Sequence, residues 1–277
     1  RLPPFARAVL FDRTRCWLIK TFNDRAALGS NVVSGINHIT SIDEIVWIDN
    51  GSERLFLEFI IEALNPWIRL LRSACNIFNV ELLDSDAFLG AGANGRVFKV
   101  RREDNTIVAL KIITRDLGLQ MVESQKMRDA AGTGVVATVV EDYKFLDDGN
   151  GAGMLISPIG EPISRESLTE STVLNIVRNL FILHQSGIEH GDPRLPNLIQ
   201  VDERILWIDL MYSMFDRELR WENDATILSR SILGLSENNS LSREISSLIS
   251  QYQDQKNEES MQALATQLWV ELSTWVR

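Results

Sequence analysis

Cysteine and long apolar runs are both scarce in this chain of 277 residues. Its two cysteines, Cys16 and Cys75, lie far apart without metal-ligand spacing, which excludes a disulfide framework and favours buried free thiols in a reducing, intracellular setting. The most apolar stretch, residues 55–71, contains three charged side chains. No run of about 20 apolar residues is therefore present to cross a bilayer, and we expect no membrane partner.

An excess of positive charge is missing as well. The chain carries 28 basic and 38 acidic residues, a formal net charge of −10. Because nucleic-acid sites use clustered lysine and arginine to replace phosphate counterions, this balance weighs against a nucleic-acid partner. The first 80 residues hold nine basic and eight acidic side chains, so the negative charge belongs to the remainder, with 19 and 30. Since the chain begins with Arg1, we expect a processed piece whose upstream targeting signal is not visible.

The length predicts one or two domains, and the pattern changes near residue 80. Within residues 1–80, short apolar runs predict strands at 15–21 and 45–49, and a 3.6-residue period predicts an amphipathic helix at 52–64. These elements indicate a small α/β accessory module. No motif in it names a chemistry, so its role stays open.

Residues 81–277 have a different organisation. Strands are predicted at 87–89, 96–101, 107–113, 135–141 and 154–157, and helices at 119–130 and 169–186, with one or two solvent-facing helices after residue 235. The first three strands, joined by short turns, form an antiparallel meander. We therefore expect an α+β unit with a small β lobe at 84–157, carrying one helix, and a helical lobe at 161–277.

A glycine-rich motif lies between the first two of these strands. Residues 90–97 read Gly-Ala-Gly-Ala-Asn-Gly-Arg-Val, which fits either a dinucleotide-binding turn that opens a helix or a hairpin loop over nucleotide phosphates. The residues that follow alternate like a strand, and the next strand, predicted at 107–113, contains Val-Ala-Leu-Lys at 108–111. This order favours the hairpin loop, in which Gly90, Gly92 and Gly95 let the backbone approach phosphates that Lys111 faces.

A second motif follows the long helix. Residues 190–197, His-Gly-Asp-Pro-Arg-Leu-Pro-Asn, place an aspartate and an asparagine five residues apart in one loop. Asp192 is suited to orient an attacking hydroxyl and accept its proton, and Asn197 to ligate Mg²⁺. Asp209 ends the next apolar strand, where its carboxylate can hold Mg²⁺ against the terminal phosphates. Together the two motifs predict phosphoryl transfer that depends on ATP and Mg²⁺.

These motifs, from residue 87 to about 230, resemble the protein-kinase superfamily. The resemblance implies a bilobal fold with a small antiparallel β lobe and a larger helical lobe. It also implies that Val97 and Ala109 line the nucleotide site, that Ser157 and Ile159 contact adenine, and that Glu123 pairs with Lys111.

The sequence departs from that family at the loop. His-Gly-Asp replaces His-Arg-Asp, as in atypical branches such as the aminoglycoside phosphotransferases and lipopolysaccharide kinases, so regulation by loop phosphorylation is not expected. Arg194 stands where Ser/Thr kinases carry a lysine that steadies the transferring phosphate. Asp224 resembles the aspartate that anchors the loop backbone. His190 is expected to brace the loop, and His184 has no partner pattern.

A looser resemblance covers the whole chain. An N-terminal segment followed by a compact His-Gly-Asp kinase is similar to the C-terminal domains of Crinkler effectors, which are secreted into host cells. It implies an intracellular working site, in host cytoplasm or nucleus. The preferred hypothesis is a Ser/Thr protein kinase with a protein substrate. The alternatives are a small-molecule kinase and a pseudokinase that serves as a nucleotide-binding scaffold.

Overall fold

The chain divides into two compact units, Arg1–Arg72 and Ser73–Arg277. The computed structural model describes residues 5–11, 15–23, 38–46, 54, 56, 67–83, 87–92, 95–114, 117–146, 151–210, 221–236 and 238–275. The predicted helix at 52–64 lies almost wholly outside the described residues, as does the end of the predicted strand at 45–49. The boundary near residue 80 stays a prediction. None of the described helices is long and apolar enough to cross a membrane.

The described part of the first unit is an antiparallel sheet of three strands. These are β1 (Phe5–Phe11), β2 (Arg15–Asn23) and β3 (His38–Val46), with β2 in the centre. The strand predicted at 15–21 lies within β2. Helix α1 (Trp67–Phe78) then crosses the division into the second unit.

The small lobe of the second unit is an antiparallel sheet with one helix. Its strands are β4 (Val80–Leu82), β5 (Phe88–Ala91), β6 (Gly95–Arg102), β7 (Ile107–Ile113), β8 (Thr138–Leu146) and β9 (Gly151–Ser157), and its helix is α2 (Leu117–Ala131). The sheet order is β4-β6-β7-β9-β8, and β5 pairs with β6. The meander predicted from the alternating pattern is thus confirmed.

One face of this sheet presents the predicted lysine. Residues paired directly across antiparallel strands point to the same side, and residues two apart on one strand do so too. Lys111 therefore shares a face with Ala109 on its own strand and with Val97, its partner on β6. Ala109 and Ile156 on β9 belong to a hydrophobic cluster that continues into the helical lobe, and Val97 packs against this cluster. The Lys111 face of the sheet is therefore the face that is turned toward the helical lobe.

The opposite face packs against the end of helix α1. Leu110 and Ile112 are fully buried there, and the Phe78 ring lies over Gly153 of β9, where an added Cβ would stand 3.1 Å from Phe78 Cε2. Cys75 is a free, half-buried thiol on the same helix, and its burial raises the pKa of the thiol. The two faces of the sheet thus have separate tasks, support on one side and presentation of Lys111 on the other.

The helical lobe combines short strands with four described helices. Its elements are β10 (Glu161–Pro162), α3 (Glu170–Gln185), β11 (Leu198–Val201), β12 (Arg204–Trp207), α4 (Trp221–Leu233), α5 (Arg243–Gln255) and α6 (Glu258–Trp275). Helix α3 begins after Thr169, whose side chain accepts from the Thr172 amide. The α+β bilobal architecture implied by the protein-kinase resemblance is therefore present.

One local prediction agrees with the structure and one differs. Helices α5 and α6 are the solvent-facing helices predicted after residue 235, and each buries one apolar face, with Ile249 on α5 and Leu268 on α6 both at 2% exposure or less. The strand predicted at 135–141 begins later, at Thr138. Residues 135–137 bond to β12 instead, since Trp207 N donates to Val135 O at 2.8 Å and Ala137 N donates to Trp207 O at 2.9 Å. An apolar run can pair with either neighbour, which the sequence does not distinguish.

Gly160 marks the passage from the small lobe to the helical lobe. A Cβ added there would lie 2.6 Å from the carbonyl oxygen of Gln200 and 2.7 Å from Val201 Cγ2. We expect Gly160→Ala to lower the free energy of unfolding by about 1–3 kcal/mol, because the β11 backbone must move to make room. Urea unfolding followed by tryptophan fluorescence measures the change.

Gly132→Ala is the matched control, because an added Cβ at that position meets no atom of the described residues within 4 Å. Equal stability of the two variants would contradict the close approach of Gly160 to β11.

Candidate active site

The Lys111 ammonium is the centre of an ion cluster that joins three parts of the chain. Its Nζ lies 2.7 and 2.9 Å from the two carboxylate oxygens of Glu123 on α2, and it also donates to Oδ1 of Asp209, which follows β12. The pairing of Glu123 with Lys111 that the family resemblance implies is present. The Glu123 side chain is 6% exposed and that of Asp209 is 45% exposed, so Asp209 is the carboxylate that a ligand from solvent can reach.

Two carboxylates share one ammonium here, and their pKa values separate. Burial raises the pKa of Glu123 to about 7, and Lys111 opposes that rise only in part. Burial also acts to raise the pKa of Asp209, but the Lys111 ammonium holds it below its usual range. Tyr143 adds a further bond by donating its hydroxyl to Oε2 of Glu123 at 3.2 Å. Hydrogen bonds from Lys111 and Tyr143 thus hold the buried Glu123 carboxyl in place, and the more exposed Asp209 carboxylate keeps its charge.

The 190–197 loop places the second group of predicted residues. Arg194 grips the Asp192 carboxylate with two parallel bonds of 2.5 Å, from Nε to Oδ1 and from Nη2 to Oδ2. The side-chain amide of Asn197 donates to the Asp192 backbone carbonyl at 2.8 Å and to Asp192 Oδ2 at 3.1 Å. The backbone carbonyl of Asn197 accepts from the Ile208 backbone amide at 3.0 Å, which attaches the loop to the residue before Asp209. The structure therefore brings the two predicted groups together.

The buried carboxylate of Asp224 on α4 holds the start of this loop. It accepts from the amides of His190 at 2.7 Å and Gly191 at 3.1 Å. This contact is the loop anchor that the resemblance implied for Asp224. Burial acts to raise the pKa of Asp224, but its hydrogen bonds, first of all that of His184, hold it below its usual range. Gly191 has a φ of 87°, a conformation that costs other residues about 1–2 kcal/mol.

His184 and Tyr252 extend the anchor, and the sequence did not reveal either role. His184 Nε2 lies 3.1 Å from Oδ2 of Asp224, and its Nδ1 lies 2.8 Å from the Tyr252 hydroxyl. Because a carboxylate only accepts, Nε2 must carry the ring proton, and the tyrosine hydroxyl must donate to Nδ1. Burial lowers the pKa of His184, which favours this neutral form. The loop is thus supported by a chain of bonds that ends on helix α5.

His190 is a structural residue, as the sequence predicted. Its ring is fully buried and packs edge-on against Trp207, with ring centroids 4.7 Å apart. The Asp192 amide donates to Nδ1 at 3.3 Å, and burial lowers the His190 pKa to about 4. The ring is therefore neutral at physiological pH and braces Asp192.

The three motif glycines differ in what they permit. Gly92 N donates to Gly95 O at 3.1 Å, which closes the turn. A Cβ added at Gly95 would lie 2.6 Å from the Ile112 carbonyl oxygen, so packing explains that glycine. At Gly90 and Gly92 an added Cβ meets nothing within 4 Å among the described residues, and neither has a positive φ. Neither packing against the described residues nor a positive φ accounts for glycine at these two positions.

Of the residues expected to line an adenine site, Val97 and Ala109 lie on paired strands and share the Lys111 face of the sheet. Ala109 belongs to the hydrophobic cluster between sheet and helices, and Val97 and Ile159 pack against it. Ser157 ends β9, and its carbonyl accepts from the Thr138 hydroxyl at 3.0 Å. Ser157 follows Ile156, which pairs with Ala109, so strand alternation turns the Ser157 side chain away from the Lys111 face.

The donor set fits Mg²⁺ bound through phosphates. Asp209 and Asn197 supply carboxylate and amide oxygens, which hard cations prefer, and Mg²⁺ characteristically takes one or two protein ligands together with substrate phosphates. Within the described ranges, no group of three or more histidine, cysteine, aspartate or glutamate side chains forms a self-sufficient metal site. A cation held here would thus depend on the nucleotide as well as on the protein.

Two solved kinase-domain structures resemble this chain in backbone path. The PknI kinase domain of Mycobacterium tuberculosis is 16% identical, with a TM-score of 0.49 over 70% of this chain and 96% of that one. A point mutant of the same domain is 18% identical, with a TM-score of 0.49 over 70% and 95%. No protein-family model and no curated protein match the sequence. The site assignments therefore rest on the contacts described above.

The bond between Tyr252 and His184 yields a prediction for stability. Tyr252→Phe removes the hydroxyl donor and leaves a buried imidazole nitrogen without its bond, which should cost about 1–2 kcal/mol in the free energy of unfolding. Urea unfolding measures the loss. Ser250→Ala on the same helix removes one exposed bond and should change stability by less than about 0.5 kcal/mol. Equal midpoints for the two variants would contradict the bond chain.

Proposed function

We propose that this protein is an ATP- and Mg²⁺-dependent phosphotransferase that acts on serine or threonine hydroxyls of a protein substrate. The observation that carries the proposal is the convergence of Lys111, Glu123 and Asp209 in one ion cluster beside the 190–197 loop. A buried lysine is costly unless its charge is matched. Two carboxylates from distant parts of the chain provide that match and fix the ammonium at the inner face of the sheet.

The chain's own residues define how a nucleotide would be held. Val97, Ala109 and Ile159 offer apolar surface to a base, and Ser157 offers backbone polar groups next to it. The backbone at Gly90 and Gly92 is open to phosphates, which the fixed Lys111 ammonium would face. ATP supplies the activated phosphoryl group, and Mg²⁺ supplies charge that offsets the phosphate oxygens.

Asp209 and Asn197 are the residues that would hold the cation. Asp209 is the more exposed partner of Lys111 and keeps its charge, because the ammonium lowers its pKa. Asn197 uses its amide nitrogen for Asp192, so its Oδ1 is the atom suited to a metal. Catalysis in this class depends mainly on positioning and charge stabilisation, which fixed side chains of this kind provide.

Asp192 and Arg194 are assigned to the acceptor side. Asn197 and the His190 ring orient the Asp192 backbone and carboxylate, so that Asp192 can accept the proton of an incoming hydroxyl. Arg194 occupies both carboxylate oxygens but is itself 57% exposed. We infer that the guanidinium turns toward the transferring phosphate when a nucleotide binds, which frees Asp192 for the hydroxyl.

Asp192→Asn tests the enzymatic proposal directly. Loss of the proton acceptor should reduce phosphoryl transfer from labelled ATP about 100- to 10 000-fold. Asp202→Asn, an exposed position with a φ of 53° that asparagine tolerates, is the matched control and should keep full activity. Unchanged turnover in Asp192→Asn would refute the assignment. Wild-type protein that neither turns over ATP nor gains thermal stability from ATP with Mg²⁺ would refute the site as a whole.

The glycine at position 191 favours a second acceptor class. The His-Gly-Asp sequence resembles aminoglycoside phosphotransferases, in which a small-molecule hydroxyl takes the phosphate. Incubation with labelled ATP, a mixture of general protein substrates and a mixture of hydroxylated small molecules distinguishes the two. Label in the protein fraction, including this chain, supports the protein kinase. Label in the small-molecule fraction alone supports the second class.

A further inference from the structure

Two side chains of helix α2 connect it to residues outside the small lobe. The first is Glu123, which belongs to the Lys111 ion cluster that also includes Asp209. The second is Lys126, whose Nζ donates to the carbonyl oxygen of Glu189 at 2.9 Å. Glu189 directly precedes His190 and thus the 190–197 loop. Residues three apart on a helix are neighbours on one face, so Glu123 and Lys126 leave α2 side by side. One helix face therefore contacts both halves of the proposed site.

The stretch 189–191 is consequently bonded from two directions. Lys126 binds the carbonyl of Glu189, while the Asp224 carboxylate binds the amides of His190 and Gly191. Lys126 is half-buried, and burial lowers its pKa, but the Asp224 and Glu189 carboxylates act in the opposite direction. The ammonium thus lies in the field of the same carboxylate that anchors the loop. The positive charge of Lys126 therefore strengthens its hydrogen bond to the Glu189 carbonyl.

We propose that Lys126 is a positioning residue that couples the placement of helix α2 to the conformation of the 190–197 loop. A shift of the helix that separates Glu123 from Lys111 must also stretch the Lys126 bond, because both side chains leave the same rigid face. Conversely, a loop displaced from Asp224 withdraws the carbonyl that Lys126 holds. As far as catalysis is concerned, this role rests on the proposed phosphotransferase function. The mechanical coupling stands independently of it.

Lys126→Met keeps the length of the apolar stem and removes the charged donor. In hydrogen exchange followed by mass spectrometry, we expect peptides from 117–131 and 189–192 to exchange about tenfold faster, in line with loss of one charge-assisted bond. Arg128→Met is the matched control, because it removes a cation from the same helix, at a 43%-exposed side chain paired with Asp142. Exchange in 189–192 should be unchanged in this control. If Lys126→Met does not fold, Lys126→Gln replaces it.

Kinetics adds a readout that packing alone does not predict. If wild-type protein transfers phosphate, Lys126→Met should lower kcat/KM for ATP about tenfold, and Lys126→Arg should recover part of it. The double variant with Glu123→Gln should lose less than the product of the two single losses, since both residues act through one helix position.

The outcomes separate the coupling from the enzymatic proposal. Unchanged exchange of 189–192 in Lys126→Met would overturn the coupling, whether or not the protein transfers phosphate. Faster exchange of 189–192 in Lys126→Met, together with a wild-type protein that does not turn over ATP, would support the coupling and refute the function. Multiplicative losses in the double variant of an active enzyme would overturn the shared helix position.

Discussion

The rest of the site depends on the hydrogen bonds that the buried carboxylate of Asp224 accepts. A charge that is 3% exposed is unfavourable unless donors surround it, and the donors available are two backbone amides of the 190–197 loop and the imidazole of His184. Satisfying the carboxylate therefore fixes the loop. The same requirement extends outward, because a buried His184 that donates at one nitrogen needs a donor at the other, and Tyr252 supplies it. A helix close to the C-terminus thereby takes part in holding the residues next to Asp192.

In the Lys111 cluster the numbers are reversed, because one donor serves several acceptors. One ammonium faces two carboxyl groups. Burial raises the pKa of Glu123 to about 7, whereas the ammonium holds the pKa of Asp209, the more exposed of the two, below its usual range. The protein thus separates a buried carboxyl that positions Lys111 from one that solvent can reach.

Much of this arrangement could be predicted from the sequence, because its signals are local. The alternating pattern predicted β6 and β7, and helical periodicity together with Thr169 predicted α3. The spacing from His190 to Asn197 marked the loop. The bond of His184 to Tyr252 could not be predicted, since it joins residues 68 apart and neither side chain has a characteristic pattern around it. Lys126 left a weak signal, its position one turn from Glu123, but its acceptor is a backbone carbonyl that any residue could provide.

The two backbone hydrogen bonds between residues 135–137 and Trp207 add a second connection between the lobes. The chain passes from the small lobe to the helical lobe at 157–160, and the short ladder to β12 joins the lobes again at a second place. A movement of one lobe away from the other would therefore have to break the two backbone bonds with Trp207 as well as the bond of Lys126 to the Glu189 carbonyl.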